Sequence, residues 1–178
     1  GWHKLKVTVD RKDTHVRARS GFLVANPEVI QQEETRKTEI LNALGSPVDY
    51  TGLPFAVRWG EIEPDGAHPG RVLAQFHVGV PADAFRIDAD QNNHLQIDVA
   101  ALALTEQRKE AGEFTKIIEA HLKPGSLDTV RRGGIRFSDH ISLPKGRFTV
   151  RFVVRDDLGG RLEGLQSISL LYNGNQGM

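Results

Sequence analysis

The sequence predicts a mainly β fold: an immunoglobulin-like or fibronectin-like antiparallel β-sandwich of about seven strands, with an N-terminal β-hairpin and one helix. Three observations carry this expectation. From Leu53 onward apolar residues recur at every second position rather than at helical spacing. Turn residues punctuate that stretch at short intervals. Between Ile135 and Tyr172, three alternating segments follow one another with only tight turns between them, the pattern of a β-meander.

The chain has 178 residues, 39% of them hydrophobic, which suits one ordinary globular domain with some length to spare. Its 23 basic and 23 acidic residues cancel, so the positive field expected of a nucleic-acid binder is missing. With no cysteine, disulfides and thiolate sites are excluded, and either redox compartment is compatible. No apolar run approaches the roughly 18 residues that a membrane-spanning helix needs. The start carries neither a signal peptide nor an initiator methionine, so the chain reads as part of something longer, with Gly1 as a cloning remnant.

Residues 1–24 read as a basic β-hairpin at the end of, or linking to, an upstream domain. Leu5, Val7 and Val9 alternate with polar residues, Val16 and Ala18 do so more weakly, and Asp10 to Asp13 form the turn. An isolated hairpin is marginal in water, so this one must lean on another surface. Residues 25–50 read as a helix and linker. Asn26-Pro27 supplies the cap and first-turn proline, and Leu44-Gly45 followed by Ser46-Pro47 supplies the stop. Ile30, Ile40, Leu41 and Leu44 make a broken apolar stripe around a polar middle from Gln31 to Glu39, so only the two ends of this helix can pack.

Residues 51–172 hold the sandwich, with strands expected at 53–59, 71–80, 94–104, 113–122, 135–143, 147–156 and 162–171. Pro64-Asp65-Gly66 and Pro69-Gly70, Asp90 to Asn93 and Ala111-Gly112 mark turns, and Pro124-Gly125-Ser126 opens a short helical turn reaching Arg132. Leu143-Pro144-Lys145-Gly146-Arg147-Phe148 carries one strand into the next, and Arg155-Asp156-Asp157-Leu158-Gly159-Gly160 turns that strand into the last. Residues 173–178 have the composition of a frayed tail.

The hairpin His-Lys-Leu-Lys-Val-Thr-Val…Val-Arg-Ala-Arg-Ser-Gly-Phe (His3 to Phe22), the helix ending Ala43-Leu44-Gly45-Ser46-Pro47, and Leu-Pro-x-Gly-Arg-Phe…Val-Arg-Asp (143–148 and 154–156) occur together here. In combination they resemble the C-terminal β-rich region of bacterial proteins related to the von Willebrand factor A-type domain, over most of the chain. The resemblance implies an upstream metal-binding A-type domain, closed by a basic strand pair with an Arg-x-Gly-aromatic motif and followed by a β-rich region of unassigned function. It also implies a secreted, periplasmic or cell-envelope location. The Asp-x-Ser-x-Ser metal motif of the A-type domain is absent from these residues, so its adhesion site is not carried over.

Each candidate site has a structural reading beside its functional one. Arg147, Arg151 and Arg155 fall on one face of a strand whose other face carries Phe148, Val150, Phe152 and Val154. This cationic ladder is either a solvated row paired across strands, for example with Glu163, or a surface that docks an acidic partner. Trp59 either closes the core or offers a sugar-stacking platform, and core closure is favoured by the area it buries. Asp88, Asp90 and Asn92 have the alternate-residue spacing of a calcium loop. The sixth position is Asn93 and the twelfth Val99, so a polar turn is the better reading. Ser138, Asp139 and His140 have the residue types of a hydrolase triad, but a strand turns Asp139 away from the other two and toward the apolar face. The histidines His3, His15, His68, His77, His94, His121 and His140 lack any spacing that sets two ligands on one element. Only strand pairing could unite two of them.

The expectation is therefore a non-catalytic accessory or protein-interaction module of a larger secreted or envelope protein, with no cofactor and no metal. Its partner is another protein or the upstream domain of the same polypeptide, contacted through strand edges, a sheet face or the 60–70 and 105–113 loops. A carbohydrate-binding module is the alternative, weakened by an aromatic content of 7%. An enzyme ranks third, because no nucleophile–base pair or paired carboxylates can be placed on one surface by spacing alone.

Overall fold

A computed structural model describes residues 2–4, 21–23, 27–46, 52–163 and 167–172. They belong to two compact units, Gly1–Glu39 and Ile40–Met178. In the first, β1 (Trp2–Lys4) pairs antiparallel with β2 (Gly21–Leu23), placing Trp2 opposite Leu23. The Asp10 to Asp13 turn and most of the expected hairpin lie outside the described residues. The helix α1 (Pro27–Gly45) starts and stops at the proline and glycine that its sequence marks. Gln31 to Glu39 is almost wholly exposed, and the Thr35 and Thr38 hydroxyls donate to carbonyls one turn back.

The second unit contains two antiparallel sheets that share one apolar interior. One sheet has the order β3 (Ala56–Pro64), β4 (Arg71–Val80), β7 (Ile135–Pro144). The other has the order β10 (Ser167–Tyr172), β8 (Gly146–Asp156), β5 (His94–Leu104), β6 (Glu110–His121), with β9 (Arg161–Glu163) also on β8. The short helix α2 (Pro124–Gly133) connects β6 to β7. It ends at Gly134, whose φ of 71° and close approach to the Val80 carbonyl leave no room for a side chain.

The two-residue period sorts side chains between interior and surface. In β4, Val72, Ala74, Phe76, Val78 and Val80 are buried while Arg71, Gln75 and His77 lie on the opposite face. Phe76 is fully buried and meets Trp59, Phe114, Phe137 and Phe152 at ring-centroid distances of 6.4, 5.0, 6.1 and 5.1 Å, mostly edge to face. The central strands β5 and β8 are buried on both faces. Outside their sheet, Ala100 and Val153 pack with Ile40, Ala43 and Leu44 from the end of α1. Leu41 stays 57% exposed.

Several expected boundaries shift. The strand expected at 53–59 runs from Ala56 to Pro64, because Gly60 and Glu61 together oppose Gln75 in a β-bulge and the strand continues past it. Leu53 precedes the strand and is fully buried. The expected 60–70 and 105–113 loops are shorter than anticipated, since residues to Pro64 and from Glu110 are in strands. The last strand is two short ones, with a one-residue change of register against β8.

Truncating Phe76 to Ala removes the ring against which four others stand, and about 3–5 kcal/mol of stability should be lost in denaturant titration. Leu41→Ala, on the exposed side of α1, should stay within about 0.5 kcal/mol of the parent.

Candidate functional site

The arginine row on β8 is divided among three environments. Arg147 is exposed. Arg151 is 6% exposed and donates to the carbonyl of Ser46, the residue after α1. No basic residue lies in the last turn of α1, so Arg151 supplies from the sheet the positive charge that a helix C-terminus favours. Arg155 pairs with Asp157. The outward face expected to form a continuous ladder is thus covered at its middle by α1. Trp59 lies in the interior cluster, edge-on to Phe76 and to Phe152 at 5.8 Å.

The outer face of the three-stranded sheet is polar. Strand register aligns Arg58 with His77 and Ser138, Gln75 with His140, and Gly79 with Arg136. His77 Nδ1 and Ser138 Oγ are 2.7 Å apart. A side chain at Gly79 would meet nothing within 4 Å. The hollow beside it, about 620 Å³, is lined in part by Asp83, Arg132, Gly133 and Arg136. Ser138, Asp139 and His140 do not converge: Asp139 takes an ion pair from Lys116 of β6 at 2.9 Å and the amide of His140. Burial acts to raise the Asp139 carboxyl, but the Lys116 hydrogen bond, the His140 amide and the nearby positive charge outweigh it, leaving its pKa below the ordinary value.

Asp65 forms a second polar cluster at one end of the two sheets. It accepts Ser142 Oγ at 2.6 Å and the amides of Ala67 and His68, with His68 Nδ1 at 2.9 Å. Arg71 donates to Ser142 Oγ and to the carbonyls of Ser142 and Ala111, joining β4 and β7 to β6 of the other sheet. Ser142 gives its proton to Asp65 and accepts from Arg71, so the cluster acts as a tie between sheets rather than as a nucleophile–base relay. The Ser142 hydrogen bond, followed by those of His68 and Ala67, overcomes the effect of burial and holds the Asp65 pKa to about 2.

At the other end, His94 opens β5 and His121 closes β6, directly opposite each other. Their rings stack at 4.8 Å, and His94 Nε2 lies 3.1 Å from Glu119 Oε1. His121 Nδ1 is 3.3 Å from the Gln91 carbonyl. Among the described residues, ligand atoms of His94, Glu119 and His121 come within 4.8 Å of one another. Spacing between histidines does not reveal this trio, because Glu119 and His121 share β6 and His94 joins them only through cross-strand register. The neighbouring Asp88 is a turn-former: its Oδ1 accepts the amides of Asp90 and Gln91, while Asn92 and Asn93 adopt left-handed backbone.

The chain matches no protein-family model and no curated protein at a significant level.

Arg151→Ala should cost about 2–3 kcal/mol in urea unfolding, because a buried charged hydrogen bond to a helix end is lost. Arg147→Ala should change stability by less than about 0.5 kcal/mol. The pKa of Asp65, lowered from 3.8 to about 2, gives stability that is complete above pH of about 4 and is lost as the pH falls toward 2. Ser142→Ala should move the Asp65 titration, followed by carboxyl NMR, up toward the ordinary range. An unmoved titration would contradict the assigned cause.

Proposed function

We propose that this chain is a non-catalytic, protein-interacting accessory module of a larger secreted or cell-envelope protein related to the von Willebrand factor A-type domain, with an immunoglobulin-like or fibronectin-like sandwich as its scaffold. The strand order supports the scaffold. Counting β3 as the first strand and β9 with β10 as the seventh, one sheet reads 1-2-5 and the other 7-6-3-4. That division resembles immunoglobulin-type folds in which the fourth strand joins the sheet of the third, sixth and seventh.

The observation that carries the interaction reading is the inequality of the two outer faces. The end of α1 covers one, while the other presents Arg58, His77 and Arg136 around the open position at Gly79, with Arg132 beside the hollow. Steering and register at such a surface come from complementary charge. Its partner on this reading is an acidic protein surface, in the first instance on the upstream A-type domain that the sequence resemblance implies. The interior position of Trp59 favours this over a sugar platform, which needs an exposed ring.

The gene product that contains this chain is expected to carry an export signal and an A-type domain before Trp2. A cytosolic catalytic domain there would end the proposal. With that A-type domain produced separately, calorimetric titration should show binding to this chain that weakens at least tenfold when Arg132→Glu and Arg136→Glu are combined, and not with Arg147→Ala. Equal binding by the charge-reversed variant would contradict the assigned face.

A further inference from the structure

We propose that His94, Glu119 and His121 form a binding site for a divalent transition cation of the zinc class, with three protein ligands and a fourth position open to solvent. Two imidazoles and one carboxylate make a donor set suited to zinc and its first-row neighbours rather than to calcium or magnesium, which favour all-oxygen cages.

The positions follow from strand pairing. His94 and His121 are direct cross-strand partners, and Glu119 lies two residues before His121 on the same face of β6. Ligand atoms around a tetrahedral zinc lie about 3.4 Å apart, given bonds of about 2.0–2.1 Å. His94 Nε2 and Glu119 Oε1 are already 3.1 Å apart, and the whole trio falls within 4.8 Å. Glu119 and His121 are exposed, so side-chain rotation is available to close the remaining distance.

Two further features distinguish the trio from an ordinary surface histidine pair. The Gln91 carbonyl can accept the Nδ1 proton of His121, which orients the ring and leaves Nε2 as the lone-pair donor, as a backbone carbonyl behind a metal-bound histidine does. The His94 residue is 8% exposed, and its Nδ1 has no hydrogen-bond partner among the described residues. Its other ring nitrogen, Nε2, faces Glu119. On binding, the cation takes the Nε2 lone pair of the neutral His94 ring, whose single proton then sits on Nδ1; a ring that starts with both nitrogens protonated gives up its Nε2 proton to solvent. The strand ends are already fixed by the mutual hydrogen bonds of Asp88 with His94 and by Leu122 donating to Asn93, so little ordering remains to be done.

The full chain, titrated with Zn²⁺ by calorimetry and with Co²⁺ by visible absorption, should bind one equivalent of each. Co²⁺ should give the intensified d–d bands of low coordination number. Zn²⁺ in excess should raise Tm by several degrees, as a ligand of the native state does. His121→Ala and Glu119→Gln, both at exposed positions, should each weaken binding at least tenfold while leaving the metal-free Tm unchanged. His68→Ala and His77→Ala should bind as the parent does. Binding that is absent, or undiminished in His121→Ala and Glu119→Gln, would overturn the proposal.

Discussion

Phe76 joins both sheets through a single buried ring. Its ring has no exposed surface and touches one aromatic residue from each of four other strands: Trp59 on β3, Phe114 on β6, Phe137 on β7 and Phe152 on β8. These contacts require Phe76 to point inward from the middle of β4. A one-residue slip of β4 would present Gln75 and His77 to the interior instead. The register of three strands in one sheet and the spacing of the two sheets are therefore set by the same side chain.

The packing leaves chemistry for the periphery. The polar groups that reach inward are tied at the ends of strands: Asp65 through Ser142, and Asp156 through the amide of Arg86. The remaining outer surfaces differ because α1 ends on only one of them. Ile40, Ala43 and Leu44 take over the exterior of β5 and β8, and Arg151 is drawn into that contact to meet the helix terminus. The other sheet keeps its polar outer face, and the ends of β5 and β6 keep two histidines and a glutamate in reach of a single ion.

The strands with uninterrupted alternation were legible in the sequence. β4 and β5 have the expected bounds, and β7 and β8 agree to within a residue, because each has a buried face that the period-two pattern marks directly. β3 was cut short because the bulge at Gly60 and Glu61 inserts a residue and reverses the alternation after Trp59. The polar middle of α1 and the packing of Ile40 and Leu44 at its C-terminal end were also readable from its broken stripe, whereas Leu41 of that stripe lies exposed. The surface onto which that end packs was not, since alternation on a single strand shows which residues point outward and not what covers them. Arg151 is the clearest case. Glu119 and His121, two residues apart on one strand, are legible as a pair in the sequence, but His94 is many residues away and only the pairing of β5 with β6 brings it beside them.

Two antiparallel layers that close over Phe76 leave a signature in proton NMR, the nuclear Overhauser contacts of the Phe76 ring. Contacts are expected from Phe76 to the rings of Phe114, Phe137 and Phe152 and to Trp59, residues drawn from both sheets. A Phe76 ring that contacts only residues of β3 and its own strand, or one whose neighbours include Gln75-side partners such as His140, would contradict this closure.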